Sequence, residues 1–240
     1  RGVLSQGICL PAREGWEEGA DVTTLLGITK YEPPVPTHMN GVLYPAGFDR
    51  CMKYDIENFK RYPEVIKPGE EVIFTEKIHG TWCQLGLVPE AMAHPEHGCL
   101  VVSSKGLAAK GLALMPDADK NATNLYLRVA RTLYIVNRLR LVFGDQLSTE
   151  KPVFVLGEVF GKGVQDLSYG AVAASEDKVG FRVFDIYVGQ PGSGHYLSHE
   201  ALSQACQDLE LARVPVVYRG PFNREVMLEH TNGRETVSGS

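Results

Sequence analysis

From about residue 69 onward the chain alternates short apolar runs with Gly, Pro and polar breaks. Glu71 to Glu76 reads Glu-Val-Ile-Phe-Thr-Glu, and Trp82 to Val88, Cys99 to Ser103, Val153 to Phe160, Phe181 to Val188 and Val214 to Tyr218 share its character. Runs of this length, rich in β-branched and aromatic residues, predict strands. One stretch follows a different period. Leu125, Val129, Leu133, Val136, Leu139 and Phe143 recur at the three- and four-residue spacing of a helix face. The spacing predicts one long helix, with Asn121 as its N-cap and Gly144 able to close it. A second helix is predicted from Ser198 to Ala212, capped by Ser198, with Leu202, Ala205, Cys206 and Leu209 facing inward. Strands interrupted by segregated helices predict an α+β domain rather than a doubly wound sheet.

Residues 1–66 are turn-rich. Tyr31-Glu32-Pro33-Pro34-Val35-Pro36 is predicted extended, because each proline fixes its own φ and drives its predecessor out of the α region. The expected organisation is a lead-in over 1–66 and one domain over 67–240. Arg1-Gly2-Val3-Leu4-Ser5-Gln6-Gly7 reads like a strand already under way, as expected of a fragment or a processed product.

Composition narrows the class. A hydrophobic fraction of 44% with 22% charged residues is that of an ordinary globular chain able to bury a core. No apolar run reaches the roughly 18 to 20 residues that span a bilayer, and no charged n-region precedes an apolar h-region. Cys9, Cys51, Cys83, Cys99 and Cys206 are scattered without C-x-x-C spacing, which favours reduced thiols and a cytoplasmic location over a disulfide framework or a zinc site. The formal net charge of −5 argues mildly against a nucleic-acid binder, which is more often basic overall. Any such contact must use local basic groups. Arg128, Arg131 and Arg138 lie mainly off the apolar helix stripe, as a solvated face or an RNA-backbone contact.

The chemistry-bearing signal is Glu76-Lys77-Ile78-His79-Gly80 at the end of an apolar strand. A lysine becomes nucleophilic when its pKa is depressed by desolvation or a neighbouring cation, and a strand end against a glycine turn is expected to supply that setting. Two further clusters follow on predicted strands. They are Gly157-Glu158-Val159-Phe160-Gly161 and Phe181-Arg182-Val183-Phe184-Asp185-Ile186.

Taken together, these clusters resemble the nucleotidyltransferase superfamily of DNA ligases, RNA ligases and mRNA-capping enzymes. That superfamily carries a K-x-[DH]-G lysine motif, then a glutamate strand motif, then an aromatic-plus-acid strand motif, here at 77, 158 and 184. His79 two residues after the lysine, and the run from Gly157 to Gln165, are similar to the RNA ligase 2 group. Arg1 to Gly7 and Leu26 to Glu32 are similar to the Deinococcus-type RNA ligases, which place a small OB-like module before the adenylation domain. The resemblance implies an ATP-grasp-like ligase core, an adenylation domain of antiparallel β-sheets flanked by helices, with the N-terminal OB module missing upstream.

It also implies an enzyme that joins RNA 5′-phosphate and 3′-hydroxyl ends. RNA would be its partner, as nicked duplex RNA or an RNA–DNA hybrid, with ATP and Mg²⁺ or Mn²⁺ as cofactors. By the same resemblance Lys77 would take up AMP, His79 would act near the phosphates, and Glu76 would face the adenine edge. Lys105, in Ser103-Ser104-Lys105-Gly106, would contact ribose or phosphate. Glu158 would bind the ribose diol, Phe184 would stack on adenine, and Asp185 and Gln165 match further functional positions. There are departures. Trp82 stands where the RNA ligase 2 group has Asn, and neither an E-G-x-V strand motif nor a final K-x-K motif occurs before Ser240. The alternatives are a DNA ligase, a capping guanylyltransferase, or a catalytically incomplete nucleotide-binding module.

Overall fold

The computed structural model describes residues 10–28, 40–165, 169 and 179–237. The expectations for Arg1 to Gly7 and for Tyr31 to Pro36 lie outside the described residues. The chain divides into two units, Arg1–Val35 and Pro36–Ser240. In the smaller, residues 10–28 form successive turns closed by Trp16 N–H to Arg13 C=O and Leu26 N–H to Val22 C=O, with the Arg13 guanidinium 5.7 Å from the Trp16 ring centroid.

The larger unit is built on a five-stranded antiparallel sheet ordered β4-β3-β6-β7-β8. Its strands are β3 (Thr81–Leu87), β4 (Leu100–Ser104), β6 (Val153–Gly161), β7 (Val179–Val188) and β8 (His195–Tyr196). Two small antiparallel pairs accompany it, β1 (Leu43–Pro45) with β5 (Leu112–Leu114), and β2 (Glu71–Thr75) with β9 (Val216–Pro221). The mixed architecture of antiparallel sheets and helices agrees with the α+β expectation. β3 is buried on both faces after Thr81. Helices α2 (Leu125–Thr132) and α3 (Ile135–Ser148) pack on the sheet. On the other face Gln84, fully buried, accepts from Met52 N–H at 2.7 Å and donates to Arg50 C=O at 2.9 Å. A buried amide must be satisfied, and Gln84 is satisfied by pinning residues 50–52 to the sheet. Tyr44, Cys51 and Met52 are core residues, and residues 40–66 lie in the larger unit, which begins at Pro36. Cys51, Cys83, Cys99 and Cys206 are buried free thiols.

The expected long helix is two. Tyr134 adopts a left-handed conformation (φ 48°, ψ 39°) between α2 and α3, and α3 continues through Gly144 to Ser148 with a kink at Phe143. The apolar period runs across the break because both helices face the same sheet, and no Gly or Pro marks it. The N-cap is Asn124, whose Oδ1 accepts from Tyr126 N–H and Leu127 N–H, not Asn121. Arg131 donates to the Ala122 and Pro116 carbonyls, and Arg138 to those of Leu209 and Glu210 while pairing with the Glu210 carboxylate at 3.0 Å. These two arginines fasten chain segments, whereas Arg128 is exposed. Helix α4 (His199–Asp208) is capped by Ser198 as expected, with Leu202, Ala205 and Cys206 buried. Helix α5 (Arg224–Thr231) follows β9. Among the described residues, no helix is long and apolar enough to cross a membrane.

Asn121 is instead a buried clamp. Its Oδ1 accepts from Val42 N–H at 2.7 Å, and its Nδ2 donates to the carbonyls of Val42 and Met115 at 2.9 and 2.8 Å. Asn121→Ala would strand these buried groups, each at about 1–3 kcal/mol. The expected loss is roughly 2–3 kcal/mol in urea unfolding with an unchanged m-value.

Candidate active site

Two strands meet at the lysine motif. β2 runs out at Thr75, Glu76 N–H donates to Pro215 C=O, and Ile78 plunges into a small core with Phe160, Tyr169 and Val214. Burying an isoleucine contributes about 1.5–3 kcal/mol. With Ile78 anchored, its neighbours Lys77 and His79 are exposed. The protein thus leaves Lys77 in water at this strand end, and the desolvated setting expected from the glycine turn is not what the fold supplies. His79 N–H donates to the Tyr169 hydroxyl at 2.7 Å.

Gly80 explains why the motif needs glycine. A Cβ there would sit 2.1 Å from the Val159 carbonyl oxygen and 3.0 Å from the Phe160 Cβ. Only a bare Cα allows this approach. It locks the end of the lysine segment against β6, one residue from Glu158.

Glu158 shares its sheet face with its cross-strand partner Trp82. Its carboxylate accepts a hydrogen bond from Gly80 N–H and lies within the fields of Lys77, His79 and Lys105. Burial nevertheless outweighs these attractions and pushes its pKa up to about 6. Lys105 opens the short helix α1 (Lys105–Ala108) and pairs with Asp55 at 3.0 Å. Both partners are largely exposed, so the pair contributes little to stability.

β7 carries a bulge. Leu156 pairs with Asp185 and Gly157 with Val183, so Phe184 is the extra residue. Gly157 has no room for a Cβ, which would meet the Phe181 ring at 2.3 Å. The bulge sets Phe184 and Asp185 against Tyr54, whose ring lies 5.1 Å from that of Phe184 and whose hydroxyl donates to Asp185 at 2.6 Å. Burial raises the Asp185 pKa while the Tyr54 hydroxyl opposes the rise. A cavity of about 190 Å³ opens here, lined by Thr75, Phe184, Asp185, His199, Arg213 and Val214.

Lys77, His79 and Lys105 thus lie within electrostatic reach of Glu158, and Phe184 sits beside Asp185. Glu76 lies next to Lys77, but its carboxylate accepts from Thr236 through both backbone N–H and hydroxyl. Gln165 stands apart, exposed on a left-handed backbone (φ 59°) in the turn after β6. Trp82 is packed in the core, its indole N–H buried without a hydrogen-bond partner. The sequence reading did not single out Tyr54 or Gln84. Their contacts span 131 and 32 residues, and no local pattern marks either. Among the described residues, no three His, Cys, Asp or Glu side chains converge as a metal site.

The architecture is that of a nucleotidyltransferase domain. The sequence profile of the RNA ligase family matches residues 70–239. The chain belongs to the RNA ligase family. No curated protein matches it. Among solved structures it is similar to Naegleria gruberi RNA ligase with pyrophosphate, at 22% identity and TM-score 0.60, over 90% of this chain and 58% of that one. It is likewise similar to mutants of that ligase bound to ATP and manganese (20%, TM-score 0.60, 94% and 61%) and to AMP and manganese (22%, TM-score 0.58, 88% and 56%). The chain spans about three-fifths of the length of these neighbours.

The raised Glu158 pKa has a consequence for stability. The native state holds that proton more tightly than the unfolded chain, where the ordinary value is 4.5. Its contribution is therefore intact below about pH 4.5 and is lost as pH rises through about 6. Glu158→Gln, which cannot ionise, should melt above the wild type at neutral pH. The gap should close below about pH 4.5, as thermal unfolding across pH would register.

Proposed function

We propose that this chain is the adenylating part of an ATP-dependent RNA ligase. The single observation carrying the proposal is the half-buried Glu158 carboxylate lying within the fields of Lys77, His79 and Lys105. A carboxylate that accepts two hydrogen bonds suits the vicinal hydroxyls of a ribose, and cations around it suit a triphosphate. ATP is consumed as a substrate. The Lys77 amine, deprotonated, attacks the α-phosphorus, a P–N bond forms, and the P–O bond to pyrophosphate breaks. AMP then passes to an RNA 5′-phosphate, and a 3′-hydroxyl displaces it to leave a phosphodiester. The ligands of the solved neighbours (ATP, AMP and pyrophosphate) are the reactant and fragments of the first step.

In this reading Phe184 stacks on adenine, with Asp185 beside it, and Glu76 reaches the adenine edge once Thr236 releases its carboxylate. His79 and Lys105 meet the phosphates, and Gln165 joins the site from its turn. Mg²⁺ or Mn²⁺, when bound with ATP, would neutralise charge on the phosphates.

Incubation with α-labelled ATP and Mg²⁺ should leave label on the denatured protein, whereas α-labelled GTP should not. Lys77→Ala should abolish labelling. Phe184→Ala should raise the ATP concentration needed by roughly tenfold, as loss of one stacked base implies. An unlabelled wild type, or equal labelling of Lys77→Ala, would overturn the proposal.

A further inference from the structure

A second, larger cavity of about 430 Å³ lies between residues 48–53 and 187–196, lined by Phe48, Met52, Lys53, Tyr187, Pro191 and Tyr196 among others. Two of its aromatic rings are left in water, Phe48 at 59% and Tyr196 at 43% exposure. Fully apolar packing would have covered them. The Lys53 ammonium lies 5.3 Å from the Phe48 ring centroid, and Tyr187 meets Tyr196 edge-on at 4.9 Å. Aromatic contacts also lead from the cleft to the nucleotide site. Tyr196 is 6.0 Å from Tyr54, and Tyr54 is 5.1 Å from Phe184.

We infer that this cleft stacks an unpaired nucleobase of the RNA end that is to be joined. The inference rests on the function proposed above, because an RNA end that receives AMP beside Phe184 must place its next nucleotides alongside. Exposed aromatic faces with a cation at the rim are the features that hold single-stranded nucleic acid without reading its sequence. The charge balance points the same way. With a net charge of −5 and the nearby Arg50 paired to Asp49 at 3.6 Å, phosphate attraction is limited and stacking must supply most of the affinity. A paired base offers no free face, so a fully duplex RNA should compete poorly.

The test uses the whole chain and a fluorescent single-stranded oligoribonucleotide with a 5′-phosphate, read by anisotropy. AMP labelling of the wild type is run beside it. Phe48→Ala and Tyr196→Ala should each weaken binding roughly tenfold, the effect of losing one stacked base. Phe48→Trp should retain it, because a larger ring still stacks. Lys53→Ala should lower the salt slope by roughly 0.7, the loss of one phosphate contact. If the wild type takes up AMP and binds RNA but Phe48→Ala and Tyr196→Ala bind as tightly, the cleft assignment is overturned and the ligase reading stands. If the wild type binds no RNA, the cleft assignment also falls, and its exposed rings then mark a protein contact. If the wild type takes no label yet RNA binding still depends on Phe48 and Tyr196, the cleft stands and the ligase reading fails.

Discussion

Gly80 lies so close to the Val159 carbonyl that no side chain could stand between them, and the geometry of the site follows from that contact. It is the point where the lysine segment, arriving from the small sheet, docks on the central strand of the large one. Ile78 adds the apolar anchor, and residues 212–215 complete the join. Val183 N–H donates to Ala212 C=O, Val214 N–H to Val183 C=O, and Glu76 N–H to Pro215 C=O. Backbone bonds have fixed directions, so this join leaves the lysine segment little freedom. Lys77 is held near Glu158 by main chain and does not depend on its own side-chain packing.

Electrostatics at the site is a contest that burial wins. Two lysines, His79 and one backbone N–H favour the Glu158 anion, yet desolvation still lifts its pKa. A carboxylate kept near its titration point in a partly dry site interacts strongly with hydroxyls brought to it. Lys77, by contrast, is exposed, and its neighbour Glu76 spends its carboxylate on Thr236.

Much of this was legible in the sequence, for local reasons. The strands were readable because short apolar runs between Gly and Pro have few other fates. The order of Lys77, Glu158 and Phe184 was readable because each lies in a short local run that resembles one motif of the nucleotidyltransferase superfamily. What was not readable arises over long range or without a local mark. The α2–α3 break at Tyr134 interrupts an apolar period that continues across it. Asn121 and Asn124 are both plausible caps, and tertiary bonds to Val42 and Met115 decide that Asn121 is a clamp. The place of residues 40–66 depends on Gln84, a polar residue in a strand whose burial no periodicity reveals. Tyr54 gains its place only because that clamp delivers it to Phe184 and Asp185.

The measurement that tests the central claim most directly is AMP uptake by Gly80→Ala, in protein shown by far-UV circular dichroism and cooperative unfolding to be folded. Lys77, Glu158 and Phe184 all remain in that variant. The account predicts that uptake collapses, because the new methyl group pushes the lysine segment off Val159 and away from Glu158. Uptake at the wild-type rate in a folded Gly80→Ala would contradict it.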